Sequence, residues 1–368
     1  MKEVQYISNV DNFLVVDNKL YFSNGKEVID EKGHSILNSP LSLQFLNYKE
    51  PYFYIPDIYG NTYLIMEKET RFLKDIFIKK VISDSFLLVS KDKKTAIFDI
   101  INNEFHYILN SRIFKFLEWK EKLFFKNKNT IQGIEIYTGQ FLWEFPLASL
   151  GKWKNSWDEE RDFEVYKLIG IYNNIFWAFI EIGGFIGLDI ETGELKYRIP
   201  EYDEAIGKTI CKGKDFFRSD YFLNSEKGKI LGMAMDIFIE IDLTQEPPFA
   251  TQYGLQEEFE KYNIKGKDTS TKYAVKDNLL YFYLAEQLRF GILDINTKEI
   301  IYVSEPIAVV ERDDSFTRLR DLKVSENKVY ILDSNHTLHI FEREKLNFEL
   351  GTSCKLAPAG EAKSYYRN

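Results

Sequence analysis

Strand-length apolar runs separated by polar turns fill the chain, and the clearest of them recur as a strand, a turn and a returning strand. The unit reads GIEIYTGQFLW at residues 133–143, GLDIETGELKY at 187–197 and ILDINTKEIIY at 292–302, with a degenerate copy, IFDIINNEFHY, at 97–107. In each, an acid (Glu135, Asp189, Asp294 or Asp99) is followed eight residues later by an aromatic (Trp143, Tyr197, Tyr302 or Tyr107). Alternating residues build the first strand, Thr-Gly or Asn-rich residues turn the chain, and the return strand carries the ring. Gly139 and Gly193 suit turn positions with positive φ, while Thr138 and Thr192 suit local hydroxyl-to-backbone hydrogen bonds. The ring then serves as an apolar plug between adjacent sheets.

A second phrase lies upstream of these units: NKLY at 18–21, NIFW at 174–177, NLLY at 278–281 and NKVY at 327–330. Each follows an apolar strand and puts Asn at the bend, the pattern of a hairpin. Trp177 precedes Asp189 by 12 residues and Tyr281 precedes Asp294 by 13, so the two phrases form one unit of four short strands. Acids at Glu67, Asp99, Glu135, Asp189, Glu240, Asp294 and Glu342 mark successive units, irregular at the front and about 50 residues apart thereafter. The expectation is an all-β chain: a single β-propeller of seven four-stranded antiparallel blades over residues 1–350, with a tail at 351–368. Eight blades is the alternative, because residues 18–30 hold the makings of an early blade. Two segments, GLQEEFEKYNI at 254–264 and SWDEERDFEVYKLI at 156–169, read as helical excursions. A ring of blades gives each strand edge a neighbour, which is how so many short strands stay soluble.

GIEIYTGQFLW resembles the repeat of quinoprotein-like propellers, A-x-D-x-x-T-G-x-x-x-W. Glu135 stands at the acidic position, Thr138 and Gly139 at the turn, and Trp143 at the end. GLDIETGELKY keeps Asp189, Thr192 and Gly193 but has Tyr197 where tryptophan would be. The resemblance implies a blade-docking role for Asp99, Glu135, Trp143, Asp189, Tyr197, Asp294 and Tyr302. It implies fold far more than function, since this PQQ-repeat and WD40-like superfamily holds cofactor-dependent dehydrogenases, outer-membrane assembly scaffolds and propellers of other use. Its enzyme branch is typically secreted and binds pyrroloquinoline quinone with a metal near the central channel. No vicinal cysteine pair and no complete cofactor site map onto this sequence, so no cofactor and no metal are assigned.

Composition sharpens the picture in two places. Aromatics reach 16%, with 30 Phe, 23 Tyr and 5 Trp, types that favour strands and the contacts between sheets. The net charge is -9, which weighs against nucleic acid or an anionic membrane and permits a basic partner. The N-terminus shows no signal-like apolar run, and no stretch of about 18 apolar residues follows. Cys211 and Cys354 do not make a disulfide scaffold, so the expected compartment is a reducing cytoplasm.

Candidate chemistry is sparse. His336 and His339 are three apart, which in a strand puts them on opposite faces and argues against a metal site. The repeat acids could gather at a channel, but one per blade fits local turn bonding better. The segment GKWKNSWDEERDF, residues 151–163, sets Trp153 and Trp157 beside Asp158, Glu159, Glu160 and Asp162, a mixture suited to a basic protein partner. Residues 308–322 hold Asp313, Asp314, Arg318 and Arg320, read as surface ion pairs. Residues 211–222 set Lys212, Lys214 and Arg218 among aromatics, a small nucleic-acid-like stacking patch isolated in an acidic chain. Phosphate loops, HExxH, G-x-S-x-G and CxxC are all missing from the sequence. The expected function is therefore a non-enzymatic, protein-binding propeller, with a bacterial immunity or inhibitor protein that sequesters a toxin as its narrower form. The alternative is a small-ligand-binding or hydrolytic enzyme using a central or top-face pocket.

Overall fold

The computed structural model describes residues 1–66, 69–154, 157, 159–181, 184–200, 202–203, 208–209, 216, 219–264, 269–284, 287–307 and 319–343. Glu67, Asp158, both cysteines, Lys212, Lys214, Arg218, Asp313, Asp314, Arg318 and the tail at 351–368 lie outside the described residues.

Among the described residues, eight four-stranded antiparallel sheets, each pairing its strands in sequence order except the last, form the body of the fold beside two two-stranded hairpins. The first seven span residues 12–38, 47–73, 77–109, 116–146, 165–199, 222–254 and 269–303. The eighth joins Leu319–Val324, Lys328–Asp333 and Leu338–Glu342 to the N-terminal strand Lys2–Ile7, which pairs Lys2 with Glu342 and Ile7 with Leu338. First strands of neighbouring blades approach one another, as Val165–Tyr172 does Phe222–Asn224 and Thr269–Lys276 does Leu319–Val324, and that of the eighth blade meets that of the first, so they are innermost and the ring is closed.

The higher of the two blade counts is the one observed. The acid markers miss the first blade because its turn, DEKGH, lacks the Thr-Gly signature. Asp30 caps it nonetheless, accepting the amides of Lys32 and His34 at 2.9 and 2.8 Å. In the sixth blade the turn acid is Asp242, which accepts the Thr244 amide at 2.9 Å. The marker Glu240 lies two residues earlier, inside the strand, and pairs with Lys229 at 2.6 Å and Lys298 at 3.0 Å.

The core is a ring of eight apolar layers, one between each pair of neighbouring blades. Middle strands are buried on both faces, so they read as unbroken apolar runs: Ile175–Ile180, IFWAFI, is buried at five of its six positions. Outer strands have a solvent side and alternate, as in Phe141–Pro146. The Asn phrases are tight hairpins: Asp17 and Asn18, Asn173 and Asn174, and Asp277 and Asn278 all take positive φ, the geometry of type I′ turns.

Lysines stitch the inner wall. Lys49 donates to the carbonyl of Val81 at 2.6 Å, Lys115 to that of Tyr166 at 2.7 Å, Lys79 to that of Ile113 and Lys323 to that of Phe13, each reaching from one blade to the next. Of the two helical expectations, residues 254–264 hold the helix Gln256–Lys261. The other is corrected. Lys152–Lys154 pairs antiparallel with Glu160–Asp162 as the two arms of a β-hairpin, and Val165–Tyr172 is the inner strand of the fifth blade. Trp153 accounts for the difference, because packing its ring on the core between the fourth and fifth blades outweighs the weak local preference of the acidic run.

Candidate functional site

The repeat residues sit at the turns between third and fourth strands, on one face of the ring. Asp189 accepts the amides of Glu191 and Thr192 at 2.9 and 3.0 Å, Asp99 those of Ile101 and Asn102, and Asp294 those of Asn296 and Thr297. These amide bonds hold the Asp99 and Asp189 carboxyls below the usual carboxylate range. Glu135 forms its turn through the backbone, its carbonyl accepting the Gly139 amide at 2.9 Å. The acids are distributed one to a blade and do not converge on the channel. Among the described residues no group of three or more His, Cys, Asp or Glu could hold a metal ion.

The rings connect blades. Trp143 is buried, and its indole N–H donates to the carbonyl of Ile190 in the next blade at 2.9 Å. Tyr197 stacks on Trp177 at 5.6 Å and its hydroxyl reaches Glu246 of the sixth blade at 2.7 Å, while Tyr302 bonds the carbonyl of Met1 at 3.0 Å. Tyr107 departs from the pattern: it is 46% exposed, and Ile108 instead packs against Gly139.

The histidines separate as well. His339 is buried between Glu3 and Asp333, at 2.8 and 3.3 Å, and ties the N-terminal strand into the last blade. His336 lies at a turn with Asp11 at 2.7 Å and Arg320 at 3.0 Å, and His34 bonds Asp30. Of the aromatics in residues 211–222, Tyr221 is fully buried and Phe216 sits edge-on to Phe185 between blades, while Phe217 lies outside the described residues with the patch's cations.

The opposite face carries the connections between blades and the turns between second and third strands. Among the described residues, two cavities on it stand out. The larger, about 720 Å³, lies beside the hairpin and brings together Trp153, Trp157, Glu160, Asp162, Glu164 and Glu181 with Lys152 and Arg161. Trp153 is anchored, its indole N–H donating to the carbonyl of Asp162 at 3.3 Å. Trp157, at the hairpin tip, is 80% exposed. The hairpin's charges are partly paired internally, Arg161 with Glu159 at 2.6 Å and Lys152 with Glu160 at 3.4 Å, leaving the cavity wall acidic by four carboxylates to two cations.

The second cavity, about 520 Å³, lies over the second and third blades and is lined by Ile58, Tyr59, Phe77, Lys79, Lys93, Arg112 and Phe114 among others. Sequence reading missed it because its residues come from the turns between second and third strands of two blades, an inner strand and a connection between blades. Its local signal is an exposed apolar residue outside any strand, at Ile58 and Tyr59 in a turn and at Phe114 in a connection.

This geometry defines an eight-bladed β-propeller that presents shaped surface on its connection face. Solved structures bear out the fold at low identity. BamB from Moraxella catarrhalis is 11% identical with a TM-score of 0.55, covering 93% of this chain and 99% of its own. Sqt1 from Saccharomyces cerevisiae is 11% identical with a TM-score of 0.56 over the same shares. The computationally designed Ika8 protein is 13% identical with a TM-score of 0.52, covering 91% and 96%. The chain belongs with the β-propellers on this evidence, and such likeness carries fold alone. No protein-family model matches the chain, and no curated protein matches it. Among the described residues no helix is long and apolar enough to cross a membrane.

Proposed function

We propose that this chain is a non-enzymatic, cytoplasmic scaffold that binds another protein through its connection face. The observation that carries the reading is Trp157, a large apolar ring 80% exposed at the tip of a paired hairpin and set beside an acidic cavity. Aromatic anchors ringed by polar groups are the usual centre of protein interfaces, because a rigid ring brings area at little entropic cost. Carboxylates outnumber cations around it, so the partner it fits presents basic groups. Sequestration of a toxin is the narrower form of the proposal, and the identity of a captured partner decides it.

The test is affinity purification from the native cell with the natural chain, Trp157→Ala, and a charge-reversed hairpin (Asp158, Glu159, Glu160 and Asp162 to Lys). Trp157→Ala is the cleaner control, since the reversed hairpin also loses the pairs with Lys152 and Arg161. A partner held by the natural chain and lost by Trp157→Ala at unchanged melting temperature supports the proposal. Equal retention, or no specific partner, removes it.

A further inference from the structure

The second cavity has the opposite character from the hairpin site and stands apart from it in the ring. Lys79 leaves the inner strand of the third blade and lies over two rings, 5.8 Å from the centre of Phe77 and 5.2 Å from that of Phe114. Its ammonium gives one hydrogen bond to the carbonyl of Ile113, and Arg112 on the same cavity wall adds a like charge within electrostatic reach. A half-buried cation and an exposed one thus line the same cavity, and among the described residues the direct acceptor of the former is a neutral carbonyl. Burial, with Arg112 beside it, lowers the Lys79 pKa to about 8. Among the described residues, no hydrogen bond or ion pair engages Arg112 or Lys93. Asp75 and Asp92 lie on the same wall, so the cations exceed the acids by one in a chain whose net charge is -9. The apolar surface is equally conspicuous: Phe114 is 80% exposed, Tyr59 70% and Ile58 52%.

We propose that this cavity between the second and third blades is a docking site for an acidic segment of a partner protein, one that brings a carboxylate to Lys79 and Arg112 and an apolar side chain to Phe114, Tyr59 and Ile58. Charge complementarity selects the occupant. A carboxylate placed between two like charges removes their repulsion and satisfies the donors both still hold. A nucleic acid needs a longer basic track than three cations interrupted by two acids. The hairpin site favours basic groups, so the two cavities take different segments, and this proposal does not depend on Trp157.

The test is an array of short peptides that combine Asp or Glu with Phe or Leu, beside counterparts in which the acids are replaced by their amides. The full chain is applied with Arg112→Glu, Lys93→Glu and Phe114→Ser, all at exposed positions, and with Trp157→Ala as a control outside the site. Inorganic phosphate serves as competitor. Retention of acidic peptides at least tenfold above their amide counterparts, lost in Arg112→Glu and Phe114→Ser and kept in Trp157→Ala, is the expected result. No acidic preference, unchanged retention by Arg112→Glu, or displacement by phosphate alone at the concentration of the peptide overturns the proposal. Failure here with a partner still lost by Trp157→Ala removes this site and leaves the scaffold reading standing.

Discussion

The indole N–H of Trp143 crosses from the fourth blade to the carbonyl of Ile190 in the fifth, at 2.9 Å, and the ring lies flat over Gly193. The glycine is as necessary as the ring. Gly193 takes φ +71°, and a Cβ there would meet Trp143 at 2.6 Å. Trp143→Ala opens a cavity in a layer that also holds Phe124 and Phe176, and should cost about 3 to 5 kcal/mol. Trp143→Phe keeps most of the apolar area but leaves the Ile190 carbonyl unpaired, at about 1 to 3 kcal/mol. Urea unfolding of the two variants and of Gly193→Ala measures these costs. A Trp143→Phe midpoint equal to the natural chain would show that the hydrogen bond contributes nothing.

That contact also shows how much of the molecule could be read from the chain. The turn acid, the positive-φ glycine and the ring eight residues on are all local, so their spacing survives in the sequence and the blade can be recognised from it. The first blade was harder because Asp30 caps its turn through backbone amides without a Thr-Gly pair. Tyr107 occupies the same sequence position as Trp143 yet lies outside, because Ile108 takes the contact with Gly139. Neighbouring side chains, not spacing, decide which residue of an outer strand turns inward. The hairpin at 152–162 was legible as an individual segment but not as strands, since the packing of Trp153 fixes its conformation. The basic cavity could not be read at all: Tyr59, Lys79, Lys93 and Arg112 come together only when two blades stand side by side.

Ring closure should depend on pH through His339. Burial opposes its charge, but the hydrogen bonds it donates to Asp333 and Glu3 outweigh that cost and raise its pKa above the ordinary 6.5. The folded state therefore binds this proton more tightly than the unfolded chain. Its contribution is fully present below about 6.5 and is lost as pH rises through the raised value. At the acid end the Asp333 pKa is shifted down: burial works against the shift, but the bonds from His339 and the turn amides prevail, so its contribution is present above about 3.8 and lost below. His339→Gln should lower the melting temperature more at pH 6 than at pH 8.5. An equal loss at both would mean that the histidine acts through packing alone.

Lys79 gives a prediction of the opposite sign. Its pKa is lowered to about 8 from 10.5, by burial first and by Arg112 second, so the unfolded chain holds the proton more tightly than the folded one. Stability should rise with pH between about 8 and 10.5 and carry the full penalty below 8. Lys79→Met keeps the contact with Phe77 and Phe114 and removes the charge, at the expense of the bond to Ile113. With the shift discounted for partial exposure, the variant should gain about 1 kcal/mol at pH 7 and lose the alkaline rise. Denaturant titrations of both chains at pH 7 and pH 9.5 read the difference directly. A natural chain that stays less stable than Lys79→Met by the same amount at both values would show that the ammonium is not strained. The same substitution should abolish acidic-peptide retention, which separates a lysine kept for an incoming carboxylate from one kept to stitch two blades together.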